Sequence, residues 1–518
     1  MIVKSYFLYI CSVLYLVIPI LFFFLGWLKL GIGLLLSFLL LLSSAYFLRK
    51  VKSLTEHDGF IVLSKDYYVA FIILFLFLLS TGNTGFVGSW GYDIPWRNAI
   101  YQDLVHQSWP VLYTYSNSML CYYMVFWLVP AEITSLLGLN EVGSNIVLLV
   151  WMYIGLLLLF FLLCDILRVR KEHVIITVIV FCFFSGINTF GMILKSIFVE
   201  PTQLISNYPS VKTWSYSDLN INGMDTIFLM RSTYLNIADI YNQYFAIAIS
   251  TLMFFRFRRH VEFYVFIGLL VLPFSPIGFI GMFVIECLEW ILNARKNVQT
   301  IGVKAFIKES FSEINILALL AIVPVFYLYY LMNVHASSLL NYESSMFNSF
   351  LYIPLDKFSG GHAVILVLYY FFYFLIYARL IYDRYKRESM FWEILFCLII
   401  FPFFRIGNSA DFNFNATICP YLLLCVLIIK YLLESTYDFK VKDFVLVFFL
   451  SIAMLTPITQ MASSFRGAYL NDKVSYKWSP WASDKKNNTF SDKEVDILKN
   501  FLITDFERKL FFLHFSKK

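Results

Sequence analysis

The chain has 518 residues, of which 60% are hydrophobic, 20% aromatic and only 14% charged. A mean hydropathy of +0.73 excludes a soluble globular enzyme and points to a multi-pass membrane protein. The net charge of +6 does not imply a nucleic-acid partner, because the basic residues stand in short clusters between apolar runs, where they set topology.

A helix needs about 20 apolar residues to cross a hydrocarbon core of ~30 Å. The first such run, 6–28, has no small-residue cleavage site and a second run follows at once, so it reads as a retained span and not a leader. Further runs fall at 30–48, 66–82, 145–167, 173–194, 239–255, 260–274, 277–292, 315–333, 362–382, 390–404, 416–433 and 444–461. Backbone groups in lipid must be satisfied within the segment, so the expected fold is all-α, with about thirteen transmembrane helices.

The loops alternate in charge. Arg49–Lys52, Arg168–Lys171, Arg256–Arg259, Arg295-Lys296, Arg384–Arg387 and Lys440–Lys442 share one parity. By the positive-inside rule that side is cytoplasmic, which puts the amino terminus inside a cytoplasmic (inner) membrane. The loops 83–144, 195–238, 334–361 and 405–415 then lie outside, as does the tail 462–518. Residues 1–461 form one membrane module. The tail is expected to be a small outer appendage of one or two helices, too short for an enzyme core of its own.

Two segments decide this scheme. Met119 to Leu137 is apolar enough to span, but a span there would turn every later basic cluster outward, so it is read as a helix lying along the outer surface. Leu272-Pro273…Ser275-Pro276 is read as a tight turn between two short helices for the same reason. The eight cysteines all lie in apolar segments without metal-like spacing and are read as packing residues with no disulfide framework.

The outer loop 83–144 carries Asp93, Arg97, Asp103 and His106 among several Trp and Tyr. The stretch from Asn98 to Gln107 is expected to be a short helix, with Asn98 and Gln102 on one face and Asp103 and His106 on another. Asp93 precedes that helix, where backbone donors and the helix dipole favour its ionised form. An ionised carboxylate there can serve as general base toward a sugar hydroxyl; the plain alternative is a helix cap. Later outer segments add Arg231, Arg405 and Asp411. Arginine binds phosphate bidentately, so Arg231 and Arg405 are the candidates for a lipid phosphate, with snorkelling to the interface as the plain alternative. Arg97, Asn98, Asp103, His106 and Asp411 complete the expected substrate-binding set. There is no Gly-rich phosphate loop, His-Glu-x-x-His or Gly-x-Ser-x-Gly motif. The seven histidines are scattered, no close pair of acids demands a divalent metal, and no cofactor is expected.

The order Asp93, Asn98–Val105, Trp109-Pro110, Leu120–Trp127, Leu136-Leu137-Gly138 and Arg168–Lys171 resembles the polytopic C-type glycosyltransferase (GT-C) superfamily over about 80 residues. In that superfamily an acidic residue opens the first outer loop. A short helix, a Trp-Pro step and an aromatic surface helix follow, and a span then returns to a basic turn. The run Arg405–Ala416 looks like the Asp-Phe-x-x-Arg-Ala segment of bacterial members, with Asn415 where Arg is common, and the ending Leu510–Lys518 is similar to theirs. The residue after the first acid is often a second acid; here it is Ile94, which favours a metal-free mechanism. The resemblance implies transfer of a sugar from a polyprenyl-phosphate donor to a surface glycan or glycolipid on the outer side, with Asp93 as base. A polymerase or ligase of lipid-linked glycans would share the membrane class without needing the pattern that starts at Asp93. A flippase would be expected to show internal repeats and mid-membrane charges.

Overall fold

The computed structural model describes residues 2–56, 60–87, 94–113, 117–187, 230–336, 360–404, 411–435, 439–471 and 501–517. Uninterrupted apolar runs give the long helices α1 (Ser5–Trp27) and α2 (Leu30–Thr55), then α3 (Lys65–Ser80). The loop that follows holds α4 (Ile94–His106) and α5 (Leu128–Leu136), and α6 (Glu141–Leu167) returns across the bundle. Next come α7 (Val174–Phe183), α8 (Thr233–Phe257), α9 (Tyr264–Leu269) and α10 (Pro276–Ile301). After the short amphipathic α11 (Val303–Ser310) stand α12 (Glu313–Ala336), α13 (Gly360–Tyr370), α14 (Ile376–Tyr385) and α15 (Ser389–Ile400). The last are α16 (Asp411–Ala416), α17 (Ile418–Ser435), α18 (Val441–Asn471) and α19 (Leu510–His514).

Each of the thirteen expected spans coincides with a helix, but only eight described segments are long and apolar enough to cross a membrane. α3, α7, α9 and α15 are 16, 10, 6 and 12 residues long. α8 has 25 residues but carries Asn236, Asp239, Asn242 and Gln243 in its first half, which lowers its apolarity.

Charge sorts the bundle into two ends. Lys50 pairs with Glu262 at 3.9 Å, Arg258 with Glu388 at 3.2 Å, Arg384 with Glu434 at 2.8 Å and Lys442 with Asp383 at 3.4 Å. Asn293, just before the Arg295 cluster, donates to the Arg258 carbonyl at 2.9 Å. Asp165, just before the Arg168 cluster, accepts from Ser5 and Tyr9 near the amino terminus. All six basic clusters therefore gather at one end. Exposed pairs such as these are worth about 0–1 kcal/mol each, so they mark the end more than they stabilise it.

The opposite end is made by the α1–α2 turn, the loop from Thr81 to Asn140 and residues 501–517. Segment 119–137 does not cross the bundle. It is a strand, a single 3-10 turn (Val125–Trp127) and the nine-residue α5, a broken path where one surface helix was expected. Two small antiparallel sheets, absent from the all-α expectation, tie distant segments together. β1 (Ile2–Lys4) pairs with β2 (Phe60–Val62) at the basic end. At the loop end β4 (Ser118–Leu120) lies between β3 (Leu112–Tyr113) and β5 (Leu502–Thr504).

The tail is built into that end. α18 runs through the expected boundary at 461 without a break. Beyond β5, Lys517 N–H donates to the Trp27 carbonyl and Lys29 N–H to the Phe515 carbonyl, both at 2.8 Å. Phe511 is fully buried, with its ring 5.2 Å from Tyr329 and 6.4 Å from Phe23. Phe511→Ala removes a buried aromatic at a cost of roughly 3–5 kcal/mol. It should release the tail to protease and lower the thermal midpoint in detergent; an unchanged digestion pattern would show that the docking contributes nothing.

Candidate functional site

α4 packs against α5, where the Tyr101 hydroxyl stands 3.1 Å from Thr134 Oγ1, and its apolar residues Ile100, Leu104 and Val105 are buried. This orientation sinks most of its polar side chains. Arg97 and Asn98 are buried, and Asp103 is completely so. The Tyr113 hydroxyl donates to Asp103 Oδ2 at 2.7 Å, and Gln107 Nε2 donates to Oδ1 at 3.3 Å. Burial pushes the Asp103 carboxyl up to about 6, while the Tyr113 and Gln107 donors oppose the rise. His106 is exposed, with Nδ1 at 2.9 Å from the Gln102 carbonyl. The face expected to present Asp103 and His106 together is thus split by the edge of the core, one acid inside and one imidazole outside.

Beyond β4 the chain dips into the bundle. Cys121 N–H donates to the Phe501 carbonyl at 2.8 Å. Tyr122 N–H donates to the Tyr329 hydroxyl at 3.1 Å, and Asn242 Nδ2 donates to the Tyr123 carbonyl at 3.3 Å. The Tyr123 ring lies 4.4 Å from Tyr122 and 6.1 Å from Tyr330. The Tyr122 ring in turn lies 4.8 Å from Phe501 of the tail. Burial raises the Tyr123 hydroxyl far above its ordinary range; Tyr122 and the Asp411 carboxylate add to the rise and the Arg97 guanidinium opposes it. Arg97 from α4 and Asp411 from the start of α16 therefore both bear on the Tyr123 hydroxyl of the dipping loop.

Arg231, two residues before the start of α8, packs against the same face of α16. Its Nε stands 3.5 Å from Asp239 Oδ2, and its guanidinium lies over the Phe414 ring at 4.4 Å. Phe414 follows Asp411 by three residues and so shares its face of α16. Asp239 is placed by a break in α8, where Ile240 leaves helical geometry (φ −133°, ψ 37°). Asn83 Nδ2 meets the Ile237 carbonyl at this break, at 2.7 Å. Asp93 and Arg405 lie outside the described residues, as does most of the outer segments 195–238 and 334–361. Asp93 precedes α4 by one residue and Arg405 precedes α16 by six. Among the described residues, no group of three or more His, Cys, Asp or Glu side chains is placed to hold a metal ion.

The dip has room because the first arm of the α9–α10 hairpin is short. The thirteen residues from Val261 to Pro273 rise roughly 20 Å, less than a ~30 Å hydrocarbon core. Ser275 Oγ caps α10 by accepting from Gly278 N–H at 3.0 Å and donates to Gln243 Oε1 at 2.7 Å, which sets the hairpin tip about midway along α8. The Tyr330 hydroxyl donates to the Pro273 carbonyl at 2.7 Å. α10 meets α16 backbone to backbone: a Cβ on Gly281 would stand 2.2 Å from the Ala416 carbonyl oxygen. Between α9, α10 and α12 runs an apolar groove of about 630 Å³.

Sequence reasoning missed Tyr122, Tyr123, Phe414 and Phe501. For Phe501 the available signal was the apolar run Phe-Leu-Ile in an otherwise polar tail.

The raised Asp103 pKa has a pH consequence. The fold favours its protonated form, so the stability linked to this group is full below about pH 4 and is lost as pH rises to about 6. The loss is on the order of 2–3 kcal/mol. Asp103→Asn, which keeps an acceptor for Tyr113, should flatten the thermal midpoint between those two pH values; an identical slope in the variant would assign the dependence to other groups. No protein-family model matches the chain, and neither a curated protein nor a solved structure is significantly similar to it.

Proposed function

We propose that the chain is an integral-membrane glycosyltransferase that moves a sugar from a polyprenyl-phosphate donor to a surface glycan or glycolipid, on the outer side of the cytoplasmic membrane. The observation that carries this reading is that Tyr330, which lines the apolar groove, stands 6.1 Å ring to ring from Tyr123, whose hydroxyl is influenced by Arg97 and Asp411. Tyr330 bonds the Pro273 carbonyl at the α9–α10 turn, and Arg231 lies over Phe414, which shares the Asp411 face of α16. A substrate matching both halves has a charged, hydroxyl-rich head and a hydrocarbon tail. A sugar carried on a lipid phosphate has that form, and nucleic acid does not.

In this reading the six basic clusters face the cytoplasm, so the loop end and the docked tail face outward. A guanidinium has five N–H donors, so the contact of Arg231 with Asp239 does not exhaust its capacity to bind the donor phosphate beside Arg405. The acceptor hydroxyl gives its proton to the Asp93 carboxylate. Its oxygen attacks the anomeric carbon as the bond from that carbon to the phosphate oxygen breaks. The lipid phosphate leaves with the electron pair, stabilised by the arginines, and direct displacement inverts the anomeric centre. Arg97, Asn98 and Asp411 line the sugar end of the recess. Asp103, locked to Tyr113 and Gln107, supports α4 from behind, and His106 stands at the surface where the acceptor approaches.

Replacing the base tests the reading. Asp93→Asn should lower transfer from a polyprenyl-phosphate sugar by about 10²–10⁴-fold, with an unchanged elution profile and thermal midpoint. Transfer at the normal rate by that variant would remove Asp93 from the mechanism.

A further inference from the structure

Toward the basic end, the interior holds more carboxyls than its facing cation can neutralise. α10 turns Glu286, Glu289 and Asn293 inward, at spacings of three and four residues that share one helix face. α15 packs against α10 and brings in Glu393, one turn after Ser389. The Glu393 carboxyl stands against that of Glu289, and the two residues are only 4% and 5% exposed. The cation facing them is Arg258, at the end of α8. Its Nε lies 3.9 Å from Glu289 Oε1, and its Nη2 lies 3.2 Å from Glu388 Oε2. One guanidinium thus serves three carboxyls.

The other neighbours bring no positive charge. From α9 comes the Tyr264 hydroxyl, which accepts from Asn293 Nδ2 at 2.8 Å and feels Glu286, Glu289 and Glu393. From α15 come Ser389, whose Oγ is 3.5 Å from Glu289 Oε2, and the thiol of Cys397. From α17 comes the thiol of Cys419, which feels Glu286. Among the described residues, no donor reaches either Glu393 oxygen in hydrogen-bond geometry, and both oxygens are buried. An ionised carboxylate only accepts hydrogen bonds, so two of them side by side leave each other unsatisfied. A buried carboxyl in that position takes up a proton instead. The neutral acid then donates its O–H to the partner carboxylate, and Arg258 neutralises the charge that remains.

We propose that Glu289 and Glu393 form a proton-binding site, an acid and a carboxylate sharing one proton, which fastens α15 to α10 at the basic end and lets go when the proton leaves. On release the O–H bond breaks, the proton passes to water at the membrane face, and two like charges stand against each other. The mouth is formed by Arg258 and Glu388, whose side chains are 21% and 40% exposed. The site lies apart from Asp93 and the outer loop and does not draw on the sugar-transfer reading.

Infrared titration of the full-length protein in nanodiscs reads the site. Above about pH 7 ordinary carboxyls are ionised, so a remaining acid C=O stretch reports a retained proton. Wild type should lose such a band as pH is raised from about 7 to about 10. Glu393→Gln should lack the band. Glu289→Gln should lack it too, because Glu393 is then free to pair with Arg258 in its ionised form. Glu286→Gln should keep it. The folded protein holds a proton that the unfolded chain has already lost, so the wild-type thermal midpoint should fall over the same range and stay level in the first two variants. Asp103, which titrates at about 6, does not contribute there. A band that persists in Glu289→Gln would make burial alone the cause and overturn the shared site. So would a wild-type spectrum without a titrating band, or one that changes when calcium or magnesium is added. If Glu393→Gln does not fold, wild type and Glu289→Gln still decide the question.

Discussion

An unpaired backbone N–H or C=O in hydrocarbon costs several kcal/mol, and this constraint governs every irregular feature of the bundle. Where α8 breaks at Ile240, Asn83 supplies the donor for the Ile237 carbonyl. Where the α9–α10 hairpin turns, Tyr330 supplies the Pro273 carbonyl and Ser275 caps the next helix. Where a π-turn interrupts the path from α13 to α14, the Phe372 carbonyl accepts from Ile187 N–H at 2.8 Å. The loop through Tyr122 and Tyr123 follows the same rule, met by Tyr329 and Asn242. Departure from helix is allowed where a neighbouring side chain or main-chain group is aimed at the freed group. These supporting residues are therefore as much a part of the recess as the charges inside it.

The recess follows from two lengths that do not match. The arm Val261–Pro273 of the hairpin has about two-thirds of a span, and the space above the turn is filled by a loop that would otherwise lie on the surface. Aromatic rings do most of the filling, because Tyr122, Tyr123, Tyr330 and Phe501 present large apolar faces with few rotatable bonds. Lowering the loop also lowers the charges attached to it. Arg97 and Asp411 both bear on the buried Tyr123 hydroxyl, in surroundings of lower dielectric than a surface loop, where charges are felt more strongly than in water.

Helix positions were legible because hydrophobic run length is a local property; the end at which each basic cluster gathers was legible because it depends only on alternation. Features fixed by distant partners were not. Tyr122 and Tyr123 read as part of an apolar surface helix until Tyr329 and Asn242, some 207 and 119 positions on, divert their backbone. Helical spacing put Asp103 and His106 on one face, but the core boundary passes between two residues about 60° apart, and only packing against α5 and Tyr113 shows on which side each falls. The polar tail gave no strand period, since β5 is three residues long and owes its existence to β4. Among the described residues α3, α7, α9 and α15 are shorter than the apolar runs that contain them, because apolar turns and ends extend a run without extending the helix.

The tail is the component whose contribution is least local. Closing a loop of several hundred residues costs little more than closing one of a hundred, because the entropy grows only with the logarithm of length. A few good contacts suffice to hold it, and they are spread along residues 501–517: a strand against β4, the Phe511 ring between α1 and α12, and main-chain bonds to the α1–α2 turn. This places Phe501 where its carbonyl fixes Cys121 and its ring backs Tyr122. The dipping loop is thus clamped from inside by α12 and from outside by the end of the chain. Since Tyr123 is the neighbour of Tyr122, the geometry of the recess depends on a segment that meets the loop through a main-chain carbonyl and an aromatic ring. Loss of the tail would disturb the site through the position of the loop, leaving the electrostatics of Arg97 and Asp411 to act from the wrong places.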